Sequence, residues 1–339
     1  MKILVAMSGG VDSAVTALLL REAGHTPVGV TAKLWPGMPS SDLSDAAQTA
    51  QSLGMEHYVV DLQQEFRHLV MEHFVEAYDR GLTPNPCITC NKRIKFESLW
   101  RYMDAFGCEG FATGHYARVA ERDGCRVLLR ARDLAKDQSY VLAHLTQDHL
   151  QKLFLPLGEY SKAEIRRKAE QAGIRVAHKS DSQDICFVPG GDYTKVLEQY
   201  GLKHSHVGNF ELTDGRKIAK HKGVAYYTIG QRKGLGIAWE HPLYVVAKDG
   251  GRNAVVLGRN EDLFRRDLVA VGVNFINPVP QQFLCTAKIR YRAQDAPCQV
   301  SLEGNRVRVL FVEPQRAITP GQEIVFYQGE EVLGGGTIL

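Results

Sequence analysis

Three groups of residues have the types and spacing that chemistry needs. Residues 8–13 read SGGVDS, set between an apolar run, KILVAM, and a helical pattern. Paired glycines let backbone N–H groups approach a ligand closely, and a helix amino terminus adds partial positive charge, so such a turn favours polyphosphate. Ser8 and Ser13 add hydroxyls and Asp12 a carboxylate. Neither the G-x-x-x-x-G-K-[ST] loop nor the G-x-G-x-x-G dinucleotide spacing occurs here. Cys87 and Cys90 stand in TPNPCITCNKR, residues 83–93, a proline-hinged turn that runs into basic side chains. Their spacing suits a zinc half-site, a redox dithiol, part of an iron–sulfur site, or one nucleophile with an incidental neighbour. Cys186 lies far along the chain, in DSQDICFVPGGDY at 181–193. Two cysteines far apart in sequence can still act together where a fold brings them to one cleft.

These residues need a scaffold, and the first ~115 residues alternate short apolar strands with helical patterns. KILVAM, a helix from Val11 to about Glu22, PVGVTAKL, a helix near 44–53, EHYVVDL and, later, GFATGHY predict an α/β, doubly wound parallel sheet with helices on both faces. A mainly helical stretch, 138–200, belongs to the same body, and SKAE at 161–164 reads as a capping box. Beyond Gly201 the segments VGNFELTDGRKIAKHKG and PLYVVAKDGGRNAVVLG read as hairpins with D-G turns, a small β-rich module. After Arg266 five or six alternating segments predict an antiparallel β-barrel. The expected domains are therefore 1–200, 201–266 and 267–339.

Bulk composition narrows the class. A chain of 339 residues, 44% hydrophobic and 23% charged, is ordinary for a soluble protein of two or three domains. No apolar run approaches the ~18 residues that span a bilayer, and the short amino-terminal run reads as a buried strand rather than a signal, so a cytoplasmic protein without membrane attachment is expected. Seven scattered cysteines do not make a secreted disulfide framework; Cys108, Cys125, Cys285 and Cys298 read as packing or surface positions. Net charge is only +3, yet between Gly201 and Lys233 seven Lys or Arg and three His face two Asp or Glu. Such a local excess fits a surface that meets phosphates, with a solvated basic loop as the alternative.

The SGGVDS turn resembles that of the PP-loop ATP pyrophosphatases, which transfer AMP to a substrate oxygen and release pyrophosphate. The resemblance implies ATP contacts at Ala6, Met7, Ser8, Gly9, Gly10, Val11, Asp12 and Ser13, with Asp12 helping to hold Mg2+ and pyrophosphate. Ligands on open parallel sheets bind outside the strands' carboxyl ends, which puts Ala32 at the adenine and ATGHY at 112–116 beside the nucleotide, Gly114 giving clearance. More specifically, AMSGGVDSAV, TPNPCITCNKRIKF, ATGHYAR, KDQSYVL, SQDICFV, YTIGQRKGLGI and RYRAQDAPC together are similar, nearly end to end, to the bacterial tRNA-specific 2-thiouridylases, the MnmA family.

That family resemblance implies adenylation of the C2 oxygen of the wobble uridine in tRNAs for Lys, Glu and Gln, then its replacement by sulfur. Products are 2-thiouridine, AMP and pyrophosphate. It implies that Cys90 is the nucleophile and Cys186 the persulfide carrier. It further implies tRNA contacts at Asn85, Pro86, Cys87, His115, Lys136, Asp137, Gln138, Arg290, Tyr291 and Gln322. An upstream persulfide donor protein is implied as well, and a monomer is expected because one RNA-sized surface already crosses all three modules. Two departures stand out: some members carry aspartate where this chain has Cys87, so a general-base role does not transfer, and WPGMPSSDLSD is shorter than the corresponding loop of many relatives.

Alternatives remain open at this stage. Zinc on Cys87 and Cys90 needs a second pair, and no other C-x-x-C occurs. An iron–sulfur cluster on Cys87, Cys90 and Cys186 competes with the persulfide route. A PP-loop synthetase acting on a small molecule and a non-catalytic RNA-binding protein are the other functional classes. His204, His206 and His221, set among lysines, read as RNA contacts or solvated side chains rather than as metal ligands.

Overall fold

Lys2–Ala6 (β1) is apolar on both faces, with Ile3, Leu4 and Val5 fully buried, the signature of a central parallel strand. Its side chains alternate between two cores. Leu4 joins Phe66, Phe74, Phe96 and Phe111 on one face, while Ile3 and Val5 join Val15, Leu18 and Ile165 on the other. The chain, a computed structural model that describes residues 1–179, 184–202 and 206–339, continues through helix Val11–Glu22 (α1), strand Thr26–Lys33 (β2), helix Ser40–Ser52 (α2) and strand His57–Asp61 (β3). Residues 181–183 of the Cys186 segment, and Lys203 and His204 of the basic stretch, lie outside the described residues.

Strand Gly110–Ala112 (β4), the hairpin Ala117–Arg122 (β5) and Cys125–Arg130 (β6), and the short strand Leu153–Phe154 (β7) follow. The first sheet is parallel throughout, in the order β3-β2-β1-β4-β7. Strand order reverses between β1 and β4, and ligands of open sheets bind at such a switch point. The 161–164 capping box forms as expected: Glu164 N donates to Ser161 Oγ at 3.3 Å, and Ser161 N donates to Glu164 Oε2 at 2.8 Å.

Both D-G hairpins of the central module form, as Gly208–Leu212 (β8) with Lys217–His221 (β9), and Tyr244–Asp249 (β10) with Ala254–Gly258 (β11). A parallel β11–β8 pairing joins them into one sheet. His221 is buried there against Phe210 and Tyr227, so it is a core residue rather than a solvated one.

All six carboxyl-terminal segments are strands: Phe264–Phe275 (β12), Gln282–Lys288 (β13), Ala296–Glu303 (β14), Arg306–Arg316 (β15), Glu323–Gln328 (β16) and Glu331–Ile338 (β17). Pairing of β12 with both β15 and β17 closes them into an antiparallel barrel. Along β15 the alternation RVRVLF buries Val307, Val309 and Phe311, which fill the barrel with Val300 and Phe326. The β5–β6 hairpin, an Asp123-Gly124 turn absent from the sequence expectation, pairs through β6 with β17 and extends the barrel sheet. Among the described residues no helix is long and apolar enough to cross a membrane.

The three modules meet at Leu82 and Thr83, where the chain enters the cysteine turn. From the central module, Lys248 Nζ donates to Leu82 O at 3.3 Å and lies 3.5 Å from Thr83 Oγ1, with Tyr227 O as a further acceptor at 2.8 Å. From the barrel side, Thr83 N donates to Pro320 O at 2.9 Å and Gln322 Nε2 donates to Thr83 O at 2.7 Å. Gly250 packs so closely that a β-carbon there would stand 2.4 Å from Arg80 O. Gly250→Val is therefore expected to lower unfolding stability by about 1–3 kcal/mol, the usual cost of overpacking; an unchanged urea midpoint would contradict this contact.

Candidate active site

The turn at 8–13 occupies the switch point between β1 and β4. Gly9 adopts φ +71°, and a β-carbon on it would stand 2.2 Å from Asp42 O, so only glycine fits. Gly10 is the N-cap of α1 and makes no side-chain cap, which leaves the first-turn N–H groups of Val11 and its successors for a ligand. Ser13 Oγ donates to Gly10 O at 3.0 Å and accepts from Ser8 N at 3.2 Å, bracing the turn from within. Ala6 ends β1 and Met7 follows it, with Met7 N bonded to Val30 O, and Ala32 lies near the carboxyl end of β2 on the same edge.

Two lysines that sequence reasoning missed stand at this turn. Lys162 Nζ donates to both oxygens of Asp12, at 2.8 and 2.9 Å, and the Tyr116 hydroxyl donates to the same carboxylate at 2.8 Å. Lys179 Nζ bonds Gly9 O, Asp42 Oδ1 and Asp45 Oδ2. Asp42 and Asp45 raise the Lys179 ammonium above its ordinary range against the opposing effect of burial. Cations clipped to carboxylates beside bare N–H groups can be re-paired by polyphosphate. Nothing local in sequence could have indicated them, because both come from after β7.

Residues 113–116 form a wall shared by this turn and the cysteines. A β-carbon on Gly114 would stand 3.0 Å from Asp12 C and Ser13 N, and Tyr116 reaches Asp12. His115, between them, is buried; Thr113 Oγ1 lies 2.7 Å from its Nδ1, and Lys95 Nζ lies 3.4 Å from its Nε2. Burial first, then the Lys95 charge, holds His115 well below its ordinary 6.5, so the imidazole is neutral at pH 7.

The proline-hinged turn becomes a short helix, Pro86–Thr89, capped by Asn85 Oδ1, which accepts from Cys87 N at 3.1 Å. It continues directly into a π-helix, Cys90–Leu99. Cys186 comes within electrostatic range of both cysteines of this helix. Its thiol is pushed up to about 12, by burial first and then by Cys90 and Cys87. Cys90 is pushed up to about 11 by burial, against the pull of Lys95, and burial raises Cys87 too. Solvent can touch Cys87 and Cys186, while the surrounding protein displaces enough water to raise both thiols. All three are free thiols, and among the described residues no grouping of His, Cys, Asp or Glu has the geometry to hold a metal ion.

The residues expected at RNA divide into two kinds. Some do structural work: Asp137 accepts from Ala131 N, Ser139 N and Ser139 Oγ, Gln138 Oε1 accepts from Tyr116 N, and Arg290 bonds Ala317 O and Thr319 Oγ1. Gln322 holds Thr83 rather than facing outward. Others border the cysteines: Tyr291 donates to Asp137 O at 3.2 Å and lies in electrostatic range of Cys87, bringing the barrel and Lys136 to the turn. On the opposite side of the cysteine helix a cleft of about 530 Å3 opens between it and the barrel, lined by Asn85, Thr89, Lys92, Arg93, His68 and His144. On the central module Arg216, Lys217, Lys220, Lys222, Arg232 and Lys233 are all exposed.

A switch-point turn of this composition on a doubly wound parallel sheet defines a PP-loop nucleotide domain, and residues 1–190 match the tRNA methyl transferase HUP domain. Residues 194–259 match the tRNA methyl transferase PRC-barrel domain and 265–338 the aminomethyltransferase β-barrel domain. The chain belongs to the tRNA-specific 2-thiouridylase family. It is 48% identical to the tRNA-specific 2-thiouridylase MnmA of Syntrophotalea carbinolica, over 99% of this chain and 98% of the relative. With that of Carboxydothermus hydrogenoformans it shares 46% identity over 99% and 97%.

The neutral His115 sets a pH dependence. Below its ordinary 6.5 the unfolded chain takes up a proton that the folded site refuses, so stability falls as pH drops through that value. His57, His149 and His221, also lowered by burial, act in the same direction. His115→Gln should therefore show a shallower loss of melting temperature between pH 7.5 and 5 than the parent, on the order of one proton's linkage. Parallel curves for the two proteins would count against a buried neutral imidazole.

Proposed function

We propose that this protein is an ATP-dependent tRNA-uridine 2-sulfurtransferase, which adenylates the C2 oxygen of a wobble uridine and replaces it by sulfur. The wall at 113–116 carries this function: Gly114 and Tyr116 touch the ATP turn, and His115 touches Lys95 of the cysteine helix. Activation and sulfur delivery therefore share one surface. The 2-thiouridylase relatives, matched along almost their whole length, supply the substrate class.

In this reaction the α1 amino terminus and the glycines at 9 and 10 receive the phosphates of ATP, while Ala32 and Gly114 border the nucleoside. Lys162 and Lys179 exchange their carboxylates for phosphate oxygens. Asp12, released from Lys162, fits a nucleotide-borne Mg2+, which needs only one or two protein carboxylates besides phosphate and water. Mg2+ there would neutralise charge on the leaving pyrophosphate.

Base chemistry requires the uridine to leave the anticodon stack, and single-stranded loops are where RNA bases can be splayed out. Asn85, Pro86 and Cys87 hold it, with Tyr291 and Lys136 on the same side of the cysteine helix, and the cleft on the other side, which Asn85 also lines, is large enough for a neighbouring nucleotide. Exposed cations of the central module grip the phosphates, in a salt-dependent way. Cys186 carries the sulfane sulfur; the Cys90 thiolate attacks the Cys186 sulfur, forms the Cys90–Cys186 disulfide and releases hydrosulfide. Hydrosulfide adds to C2, AMP departs with the oxygen, and two equivalents of an external thiol reduce the disulfide to the two cysteine thiols, themselves leaving as a disulfide. We further place the enzyme in the cytoplasm as a monomer supplied by a separate persulfide-carrying protein.

A cluster on Cys87, Cys90 and Cys186 is the competing sulfur source, and the shared location of the three thiols is what favours it. Nucleoside mass spectrometry on tRNA incubated with ATP, Mg2+ and a sulfur donor decides both questions. The parent protein and Cys87→Ala should form 2-thiouridine, whereas Cys90→Ser and Cys186→Ser should form none. Loss of product in Cys87→Ala together with stoichiometric iron would favour the cluster. Absence of 2-thiouridine from the parent, with a small-molecule adenylate instead, would sink the assignment.

A further inference from the structure

Lys95 sits where no expectation placed a functional residue. It lies five positions after Cys90, on the π-helical stretch Cys90–Leu99. On an α-helix that separation would turn the two side chains about 140° apart. Hydrogen bonding from each residue to the fifth one on instead brings positions 90 and 95 to the same side, and π-helical turns are found mostly at functional sites. The charge of the ammonium acts on Cys87, Cys90 and Cys186, in each case against the upward push of burial. At Cys87 and Cys90 it is the foremost neighbour after burial itself, while at Cys186 the other two thiols come before it.

Its aim is fixed from the other side. Lys95 donates toward His115 Nε2 at 3.4 Å, which leaves the ring proton on Nδ1 to be donated to Thr113 Oγ1 at 2.7 Å. The neutral imidazole thus orients the ammonium without cancelling its charge. Among the described residues no carboxylate comes within ion-pair distance of Lys95, in contrast to Lys162 and Lys179 at the nucleotide turn. An unneutralised cation acting on a thiol is a counter-charge for its thiolate.

We propose that Lys95, oriented by His115 and Thr113, is the charge-holding residue that stabilises the Cys90 thiolate for attack on the sulfur carried by Cys186. The proton lost by the Cys90 thiol leaves to solvent, because the near nitrogen of His115 already accepts from Lys95. The roles of the two cysteines rest on the sulfur-transfer reading above.

The test follows alkylation of individual cysteines by iodoacetamide across pH, read by peptide mass spectrometry in the full-length protein without ATP or tRNA. In Lys95→Met, and in Lys95→Gln as a polar replacement of similar reach, Cys90 should react on the order of ten-fold more slowly at a given pH below its midpoint, its profile moving upward. Lys95→Arg should keep most of the parent rate, and exposed Cys125 should be unaffected in every variant. Superposable Cys90 profiles for the parent, Lys95→Met and Lys95→Gln would overturn the proposal, as would equal changes at Cys90 and Cys125. Because neither substrate is present, failure here is distinct from failure of the thiolation assignment, which would show as absent 2-thiouridine in the parent.

Discussion

Position of the cysteine turn depends on the backbone of Leu82 and Thr83, held from two independent modules. Lys248 ties it to the central module, and Pro320 with Gln322 ties it to the barrel. Lys248 is buried, which lowers its ammonium to about 7, and three oxygens surround it. A buried cation lacking such acceptors would be costly, so this junction tolerates little displacement. The turn therefore has its place set by the whole chain rather than by its own prolines.

From that fixed point the chemistry runs along two short links. Asn85 caps the cysteine helix, and its π-helical continuation carries Lys95 to His115. The 113–116 strand end then passes the geometry on to Asp12 and α1. Each link is a hydrogen bond or a close backbone contact, so the nucleotide turn and the cysteine helix are joined by a chain of direct contacts. Such pre-organisation is what a two-stage reaction at one atom requires, since activated oxygen and incoming sulfur must meet the same carbon.

Much of this was legible in the chain. The period-two and period-3.6 patterns marked β1, α1 and β2, both D-G hairpins and six barrel strands, because local turn chemistry and alternating burial agree there. The 8–13 turn stood out because serines, paired glycines and an aspartate coincide directly after an apolar strand and before a helix. The β5–β6 hairpin escaped notice although Asp123-Gly124 is a strong turn signal, since its partner strand lies about two hundred residues away. Lys95, Lys162, Lys179 and Lys248 were illegible for a related reason: lysine is the commonest kind of surface residue, and only tertiary placement distinguishes one that faces a thiol or a carbonyl. His221 was misjudged among its basic neighbours because strand alternation, not local charge, decided which way it pointed.

Pairing of β6 with β17 carries one more consequence. The chain divides into three stretches by composition and by family match, yet the barrel sheet borrows two of its strands from the first stretch. Severed after the nucleotide domain, that stretch would keep its parallel sheet but present β6 as a bare strand edge, a template for self-association. Evolutionary shuffling of the nucleotide domain onto other partners would thus have to bring along a replacement edge.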